Sequence, residues 1–209
     1  MSKKTLKKCT NEYENIYWPK DQLVLGIDEA GRGPLAGPLC VAGVIFPCGY
    51  QNDNIYDSKA ISEKKREELF EVIKEDALWF EIVCVSEEDI DTYDIYHATQ
   101  RTMHDIASHA PDCIVISDAM PLAIDKEAYH PTKGDQKSIN VAAASILAKV
   151  TRDRIMLEYD AIYPQYGFKK NKGYPTKQHL EAIEKYGITE IHRKSFGPVK
   201  AQQQKLDLF

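Results

Sequence analysis

Short apolar runs alternate with longer stretches of helical spacing along most of the chain. Four apolar runs have the length and composition of buried strands: residues 23–28, 39–46, 78–85 and 113–117. Four stretches have the spacing or the starting residues of helices: residues 62–77, 86–109, 139–159 and 176–186. Because strands and helices follow one another in this order, the pattern predicts an α/β layer fold that ends in a helical extension.

The same pattern predicts one main domain with two short appendages. We expect a lead-in at residues 1–20, a domain at residues 21–187, and a helical segment with a tail at residues 188–209. The longest apolar run, residues 39–46, is too short for a membrane-spanning helix. No apolar stretch follows the lysine-rich start to complete a secretory signal, so we expect a cytoplasmic protein with no membrane partner.

The cysteines show no pattern of a metal site or a disulfide framework. The five are widely spaced and form no C-x-x-C pair: Cys9, Cys40, Cys48, Cys84 and Cys113. We therefore expect reduced cysteines that serve mostly as small buried apolar residues.

The charge is unevenly distributed. The chain has 27 Lys and Arg against 32 Asp and Glu, a net charge of −5, which by itself argues against a nucleic-acid partner. Residues 165–205, however, carry nine basic and three acidic residues, hence +6, and the rest of the chain carries −11. A basic segment on an acidic body fits a face that meets phosphates, although a solvated helix surface has the same composition.

Carboxylates mark the ends of two predicted strands. Asp28 and Glu29 end the first strand, and Asp118 follows the fourth. Asp153 lies late in the long predicted helix, between basic neighbours. Such oxygen donors suit Mg²⁺ or Mn²⁺ better than zinc, whereas each acid taken alone could equally cap a turn or form a surface ion pair.

The segment after the first strand adds a second feature. Gly31, Arg32 and Gly33 follow the acids directly, within the sequence Asp-Glu-Ala-Gly-Arg-Gly-Pro-Leu-Ala-Gly-Pro. A loop with little side-chain bulk lets backbone amides approach a sugar-phosphate chain while the guanidinium binds phosphate.

Through this segment, the sequence closely resembles the ribonuclease HII family, the type 2 ribonucleases H. Further motifs occur in the family's order: Asp57-Ser-Lys59, Asp118, Lys133-Gly-Asp135, Ala143-Ala-Ser-Ile-Leu-Ala-Lys-Val-Thr-Arg-Asp153, Lys172-Gly-Tyr174 with Thr176 and His179, and His192-Arg-Lys-Ser-Phe196. The resemblance covers roughly residues 22–200.

The resemblance implies a ribonuclease-H-like mixed sheet flanked by helices, with a small C-terminal helical extension. It implies cleavage of the RNA strand of RNA–DNA hybrids and incision 5′ of single ribonucleotides in duplex DNA. The implied catalytic and metal-binding residues are Asp28, Glu29, Asp118 and Asp153, with a two-ion Mg²⁺ or Mn²⁺ site. The implied substrate-binding residues are Gly31, Arg32, Gly33 and Tyr174, to which we add Lys59, although Lys59 and Lys149 could equally be ordinary surface lysines.

Some positions depart from the family's common pattern. Ala119 and Met120 stand where Gly-Asn is frequent, Gly197 where Ala is usual, and Asp94 and His97 where Asn and Gln are expected. None is among the four acids. The sister family, ribonuclease HIII, carries an extra N-terminal domain for which about 20 leading residues leave no room. Nothing in the sequence requires more than a monomer.

The last residues resemble a short bacterial motif that docks on the sliding clamp. The stretch from Gln204 to Phe209 ends in Leu-Asp-Leu-Phe. An extended tail could insert Leu206, Leu208 and Phe209 into an apolar groove, or it could fold back on the preceding helix. A rival hypothesis is a clamp-associated binding protein without activity, in which the acids are structural.

Overall fold

The computed structural model describes residues 9–206 and contains one five-stranded sheet among helices. The strands are β1 (Val24–Ala30), β2 (Leu39–Ile45), β3 (Trp79–Val85), β4 (Ile114–Ser117) and β5 (Ala128–Tyr129). The sheet order is β3-β2-β1-β4-β5. β1 pairs in parallel with β4, with Val24 opposite Ile114, and β4 pairs in parallel with β5. The sheet therefore brings the ends of β1 and β4 to the same edge.

The helices in the described part of the chain surround this order. They are α1 (Glu14–Tyr17), α2 (Glu63–Asp76), α3 (Glu87–Tyr93), α4 (Ile95–His109), α5 (Gly134–Lys137), α6 (Ile139–Ile162), α7 (Phe168–Asn171), α8 (Lys177–Tyr186) and α9 (Gly197–Leu206). Two short 3₁₀ turns occur at Trp18–Lys20 and Pro164–Tyr166. None of the helices within residues 9–206 is long and apolar enough to cross a membrane.

The helix ends follow the local sequence chemistry. The hydroxyl of Ser62 accepts a hydrogen bond from the Lys65 amide at the start of α2, and Thr176 does the same for His179 in α8. Ser86 accepts from the Asp89 amide at 3.1 Å and donates to the Asp89 carboxylate at 2.8 Å, so its hydroxyl caps the start of α3.

The chain divides into two compact units, each built from separate stretches of sequence. Of the described residues, the first unit contains 9–29, 41–83 and 100–150, and the second contains 30–40, 84–99 and 151–206. In the first unit, Val24, Ile114 and Val141 pack in one apolar cluster with Tyr17. In the second unit, an apolar cluster is built from Leu35, Met156, Tyr166, Phe168 and Ile183, with four further residues.

Helix α6 begins directly against the sheet because β1 carries no side chain at one position. A β-carbon at Gly26 would lie 2.1 Å from the main-chain carbon of Asn140 and the amide nitrogen of Val141. No other residue fits there, so Gly26 allows the helix to start in contact with the strand that carries Asp28.

The expectation of five reduced cysteines is wrong for one pair. Cys40 at the start of β2 and Cys84 at the end of β3 form a disulfide, with Cα atoms 4.2 Å apart. The two are 44 residues apart in sequence and meet because β2 and β3 are neighbours in the sheet, which cysteine spacing does not reveal. Cys9, Cys48 and Cys113 are free thiols, and burial raises the pKa of Cys9 to about 12.

Candidate active site

Three of the four predicted acids lie together at the edge of the sheet in the first unit. Asp28 and Glu29 lie in the last three residues of β1, and Asp118 follows β4, whose last residue pairs with Ile27. Asp28 is 7% exposed. Burial raises the pKa of Asp28 well above its usual range, and the negative charges of Glu29 and Asp118 raise it further. The three carboxylates are therefore close enough to repel one another.

Backbone amides hold two of these carboxylates in place. Asp28 Oδ1 accepts from the Glu29 amide at 2.7 Å, and Asp118 Oδ1 accepts from the Gly134 amide at 2.7 Å. The second contact links Asp118 to the start of α5, where Lys133 takes a left-handed conformation. Each carboxylate thus keeps further oxygen lone pairs available for a ligand.

The fourth acid lies in the second unit. Asp153 is buried on α6, directly after Arg152, in the portion of the helix that follows residue 150. Within residues 9–206, no three His, Cys, Asp or Glu side chains are arranged so that they could by themselves hold a metal ion. A four-acid metal centre therefore stays a prediction.

Two polar residues near the acids were not singled out from the sequence. Ser145, within the alanine-rich part of α6, hydrogen-bonds to the Asp28 carboxylate and lies 2.9 Å, oxygen to oxygen, from Ser58. The pKa of Asp135 is raised by burial and by the negative charges of Asp57 and Asp118. In the sequence, the signals that could have pointed to these residues are the single hydroxyl of Ser145 within the alanine-rich stretch and the acid of Asp135 in the Lys-Gly-Asp motif.

Lys59 lies on the exposed side of this cluster. Its amide donates to Asp57 Oδ1 at 2.9 Å, in a turn that places the side chain at the surface. The positive charge of Lys59 lowers the pKa of Asp135, so the lysine is near the acids without being buried among them.

The predicted substrate-binding residues of the second unit meet at its surface. Arg32 and Gly33 are exposed, and Tyr174 is 45% exposed. A β-carbon at Gly33 would lie 3.4 Å from Cε1 of Tyr174, so the glycine lies against the edge of the ring. The Leu35 amide donates to Gly173 O at 2.8 Å, which joins the two segments next to these side chains.

Two of the departures from the family pattern have a local structural account. Ala119 has a φ of +52°, the left-handed conformation that the more frequent glycine adopts without strain. Asp94 breaks the helix between α3 and α4, and its carboxylate accepts from the amides of Tyr96 and His97. The His97 ring contacts the same carboxylate at 2.6 Å, so both unusual residues act in one helix cap.

Comparison with known proteins gives a consistent result. A family model described as Ribonuclease HII matches residues 25–199. A Ribonuclease HII from Clostridioides difficile is 53% identical over 190 residues, which cover 89% of this chain and 74% of that protein. A Ribonuclease HII from Enterococcus faecalis is 47% identical over 197 residues, which cover 93% and 77%.

Solved structures agree on the fold. The ribonuclease H2 of Pyrococcus horikoshii superposes with a TM-score of 0.72 at 23% identity, covering 88% of this chain and 99% of that one. The ribonuclease HII in a complex with PCNA from Archaeoglobus fulgidus superposes with a TM-score of 0.71 at 28% identity, covering 84% and 95%. The predicted mixed sheet with flanking helices is confirmed, and the chain belongs to the ribonuclease HII family of hydrolases.

Proposed function

We propose that the protein is a metal-dependent endonuclease that hydrolyses the RNA strand of RNA–DNA hybrids. On duplex DNA it incises 5′ of an embedded ribonucleotide and leaves 3′-hydroxyl and 5′-phosphate ends. The observation that carries the proposal is the group of three carboxylates, Asp28, Glu29 and Asp118, at one sheet edge in a member of the ribonuclease HII family.

The donors fit hard divalent cations. Carboxylate oxygens without histidine or thiolate suit Mg²⁺ or Mn²⁺, and a bound cation would relieve the repulsion that raises the pKa of Asp28. Asp28, Glu29 and Asp118 would hold these ions together with Asp153. When bound, a pair of such ions supplies an activated water and stabilises the leaving oxygen.

The remaining residues act on the substrate itself. The exposed Arg32 would bind phosphate, and Gly33 would bring a backbone amide to the ribose, where the 2′-hydroxyl distinguishes RNA from DNA. Tyr174 offers an exposed ring edge beside them for the neighbouring deoxyribose. Lys59 offers a positive charge for phosphate near the acids.

Replacing Asp28 tests the assignment of the acids. Asp28→Asn removes the buried carboxylate of the three, which would bind the cation, so it should abolish cleavage of a duplex with one ribonucleotide while hybrid binding survives. Cleavage with mapped ends and binding by fluorescence anisotropy measure the two effects. The control is Asp112→Asn, an exposed acid in the loop before β4, which should cleave normally. A near-normal rate for Asp28→Asn would disprove the assignment.

We also propose that residues 204–209 dock on a sliding clamp. The support is the Gln-Lys-Leu-Asp-Leu-Phe sequence and the PCNA complex of the Archaeoglobus fulgidus relative. The motif's final residues, 207–209, and the side chains of Lys205 and Leu206 lie outside the described residues. Deletion of residues 204–209 should abolish binding to immobilised clamp and leave cleavage of a short duplex intact; unchanged clamp affinity would contradict the proposal.

A further inference from the structure

The buried side chain of Arg193 binds the backbone of the loop that carries Arg32. The guanidinium of Arg193 donates to Gly31 O at 2.7 Å, to Arg32 O at 3.2 Å and to Gly37 O at 2.7 and 2.9 Å. Its three nitrogens thus bind three carbonyls of a single seven-residue segment. Arg193 itself is 0% exposed, so it does not reach the substrate surface.

The position of Arg193 is itself fixed by backbone pairing. Its amide donates to Leu35 O at 2.8 Å, and the Gly37 amide donates to Ile191 O at 2.9 Å. Ala36 and His192 form the antiparallel bridge between these two bonds. The guanidinium carbon also lies 5.1 Å from the centre of the Phe196 ring. The backbone of Arg193 is therefore fixed against the same loop segment that its side chain binds.

The buried charge of Arg193 favours the observed conformation of the loop over others. Burial lowers the pKa of Arg193 to about 9, and the positive charge of Arg152 also lowers it, so the group stays protonated at neutral pH. A loop that moved away would leave this buried cation without its carbonyl acceptors, which is costlier than losing neutral hydrogen bonds. The conformation that satisfies Arg193 is the one observed.

Arg152 supports the same segment from a second side. Its guanidinium donates to Pro38 O at 2.8 Å, to Ala36 O at 3.0 Å and to Lys172 O at 2.9 Å. Arg152 thus binds the later part of the loop and the residue two before Tyr174, but neither Gly31 nor Arg32. Among the hydrogen bonds described for these two arginines, only those of Arg193 reach the carbonyls of Gly31 and Arg32.

We propose that Arg193 is a positioning residue for ribose recognition. It holds the backbone of Gly31 and Arg32 in place. The Arg32 side chain and the Gly33 amide can then meet the substrate beside Tyr174. The inference rests on the proposed function, because it assigns Arg193 to the loop that reads the 2′-hydroxyl. It adds a residue that acts through Arg32 and Gly33 and touches neither substrate nor metal.

Two substrates separate positioning from general damage. In a duplex with one ribonucleotide, a single 2′-hydroxyl identifies the site, whereas a uniform RNA–DNA hybrid offers one at every nucleotide. Arg193→Met should therefore lower kcat/KM by about 100-fold on the first substrate and by less than about 10-fold on the second. Arg193→Lys, which keeps the charge, should recover part of the loss on the first substrate.

A matched control comes from the first unit. Lys126 Nζ donates to Ala107 O and Ala110 O at 2.7 Å and to Pro111 O at 3.0 Å, so it also ties three main-chain carbonyls with one cation. Lys126→Met should change kcat/KM by the same factor on both substrates. All rates are measured well below each variant's melting temperature.

A double-mutant cycle decides whether Arg193 acts through Arg32. In an Arg32→Ala background, Arg193→Met should cost less than about 10-fold further on the one-ribonucleotide duplex, against about 100-fold in the wild type, because one of the two groups that it positions is gone. Fully additive losses, or equal losses on both substrates, would overturn the proposal. If Arg193→Met does not fold, the same cycle is run with Arg193→Lys and the same criterion. Failure of the wild-type protein to cut at the ribonucleotide would instead refute the proposed function.

Discussion

Gly31 lies directly over the side chain of Arg152, at the point where β1 passes into the loop that carries Arg32. Its φ is +106°, and a β-carbon there would lie 2.2 Å from Nε of Arg152 and 2.8 Å from Pro38 O. Gly33, two residues later, has no such conflict, since the nearest atom to its β-carbon is 3.4 Å away on Tyr174. The fold therefore requires glycine at position 31, whereas no steric conflict requires it at position 33.

This difference predicts that Gly31→Ala destabilises the protein and that Gly33→Ala does not. Gly31→Ala should lower the free energy of unfolding by about 2 kcal/mol or more, because the left-handed backbone disfavours alanine and the methyl group meets a buried guanidinium. Gly33→Ala should change stability by less than about 0.5 kcal/mol and reduce cleavage at a single ribonucleotide. Urea unfolding measures the stability of both variants, and cleavage of a one-ribonucleotide duplex measures the activity of Gly33→Ala. Equal destabilisation by the two variants would contradict this account.

At the same scale, the sequence allowed the acids to be predicted but not the arginines behind the loop. Asp28 and Asp118 were predictable because strand ends in an α/β fold gather polar residues at one edge. Arg193 was counted in the basic stretch suited to phosphate, yet it is 0% exposed and binds backbone carbonyls. Residue type gives the charge of a side chain, whereas the direction in which it points depends on distant segments.

Among the elements, the start of α6 is anchored by a buried polar network in the first unit. Glu14 Oε1 accepts from Asn140 Nδ2 at 2.8 Å and from the hydroxyl of Ser138. Asn140 Oδ1 in turn accepts from the Phe46 amide at 2.8 Å, just after β2. Glu14 and Asn140 are both 0% exposed. One amide side chain thus connects α1, β2 and the first turn of α6.

Removal of this amide should be costly. Asn140→Ala leaves the buried Phe46 amide without an acceptor and takes one donor from Glu14, so we expect the free energy of unfolding to fall by about 3 kcal/mol. Asn54→Ala in the exposed loop after β2 serves as the control and should cost less than about 0.5 kcal/mol. Thermal and urea unfolding compare the two. A loss below 1 kcal/mol at position 140, set against about 1–3 for an unsatisfied buried group, would contradict the network's importance.

Elements of ordinary length were predictable from periodicity, and short or tertiary-dependent ones were not. The predicted strand at residues 113–117 and helix at residues 176–186 appear as β4 and α8, each within one residue of the predicted bounds. β5 has two residues and α5 has four, too few for an apolar period to show. β5 exists because Val115 and Ile116 of β4 offer it a pairing edge.

For the whole molecule, the prediction of a basic stretch that meets phosphates needs one correction. Within the basic stretch, Lys169, Lys170, Lys177, Lys194 and Lys200 are exposed and available for phosphates, whereas Arg193 is not. The acidic remainder includes the carboxylates that repel one another at the end of β1. A net charge of −5 therefore averages an acidic sheet edge with a basic surface, and it describes neither.

The pH dependence of stability has a defined source in a buried chain of hydrogen bonds. The Thr189 amide donates to His192 Nδ1 at 3.0 Å, so the His192 proton is on Nε2. His179 Nδ1 lies 3.0 Å from Tyr174 O, and because a carbonyl oxygen can only accept, the His179 proton is on Nδ1. His192 Nε2–H must therefore donate to His179 Nε2, 3.1 Å away, and both rings are neutral. A further proton on either ring would set one N–H against another.

Acid should therefore weaken the fold through these rings before most carboxylates titrate. Burial lowers the pKa of His192 from 6.5 to about 4, so the unfolded chain binds a proton in this range that the native protein excludes. Stability is then fully present above about pH 6.5 and falls as the pH drops towards 4, by up to about 1.4 kcal/mol per pH unit. Urea unfolding at pH 7 and pH 5 measures this slope.

His192→Phe should be less stable than the wild type at pH 7, yet lose about 2 kcal/mol less between pH 7 and pH 5, because the titrating ring is gone. His104→Gln, at an exposed position in α4, should keep the wild-type slope. If His192→Phe kept that slope as well, the acid sensitivity would arise elsewhere, and His192 would contribute to stability only through packing.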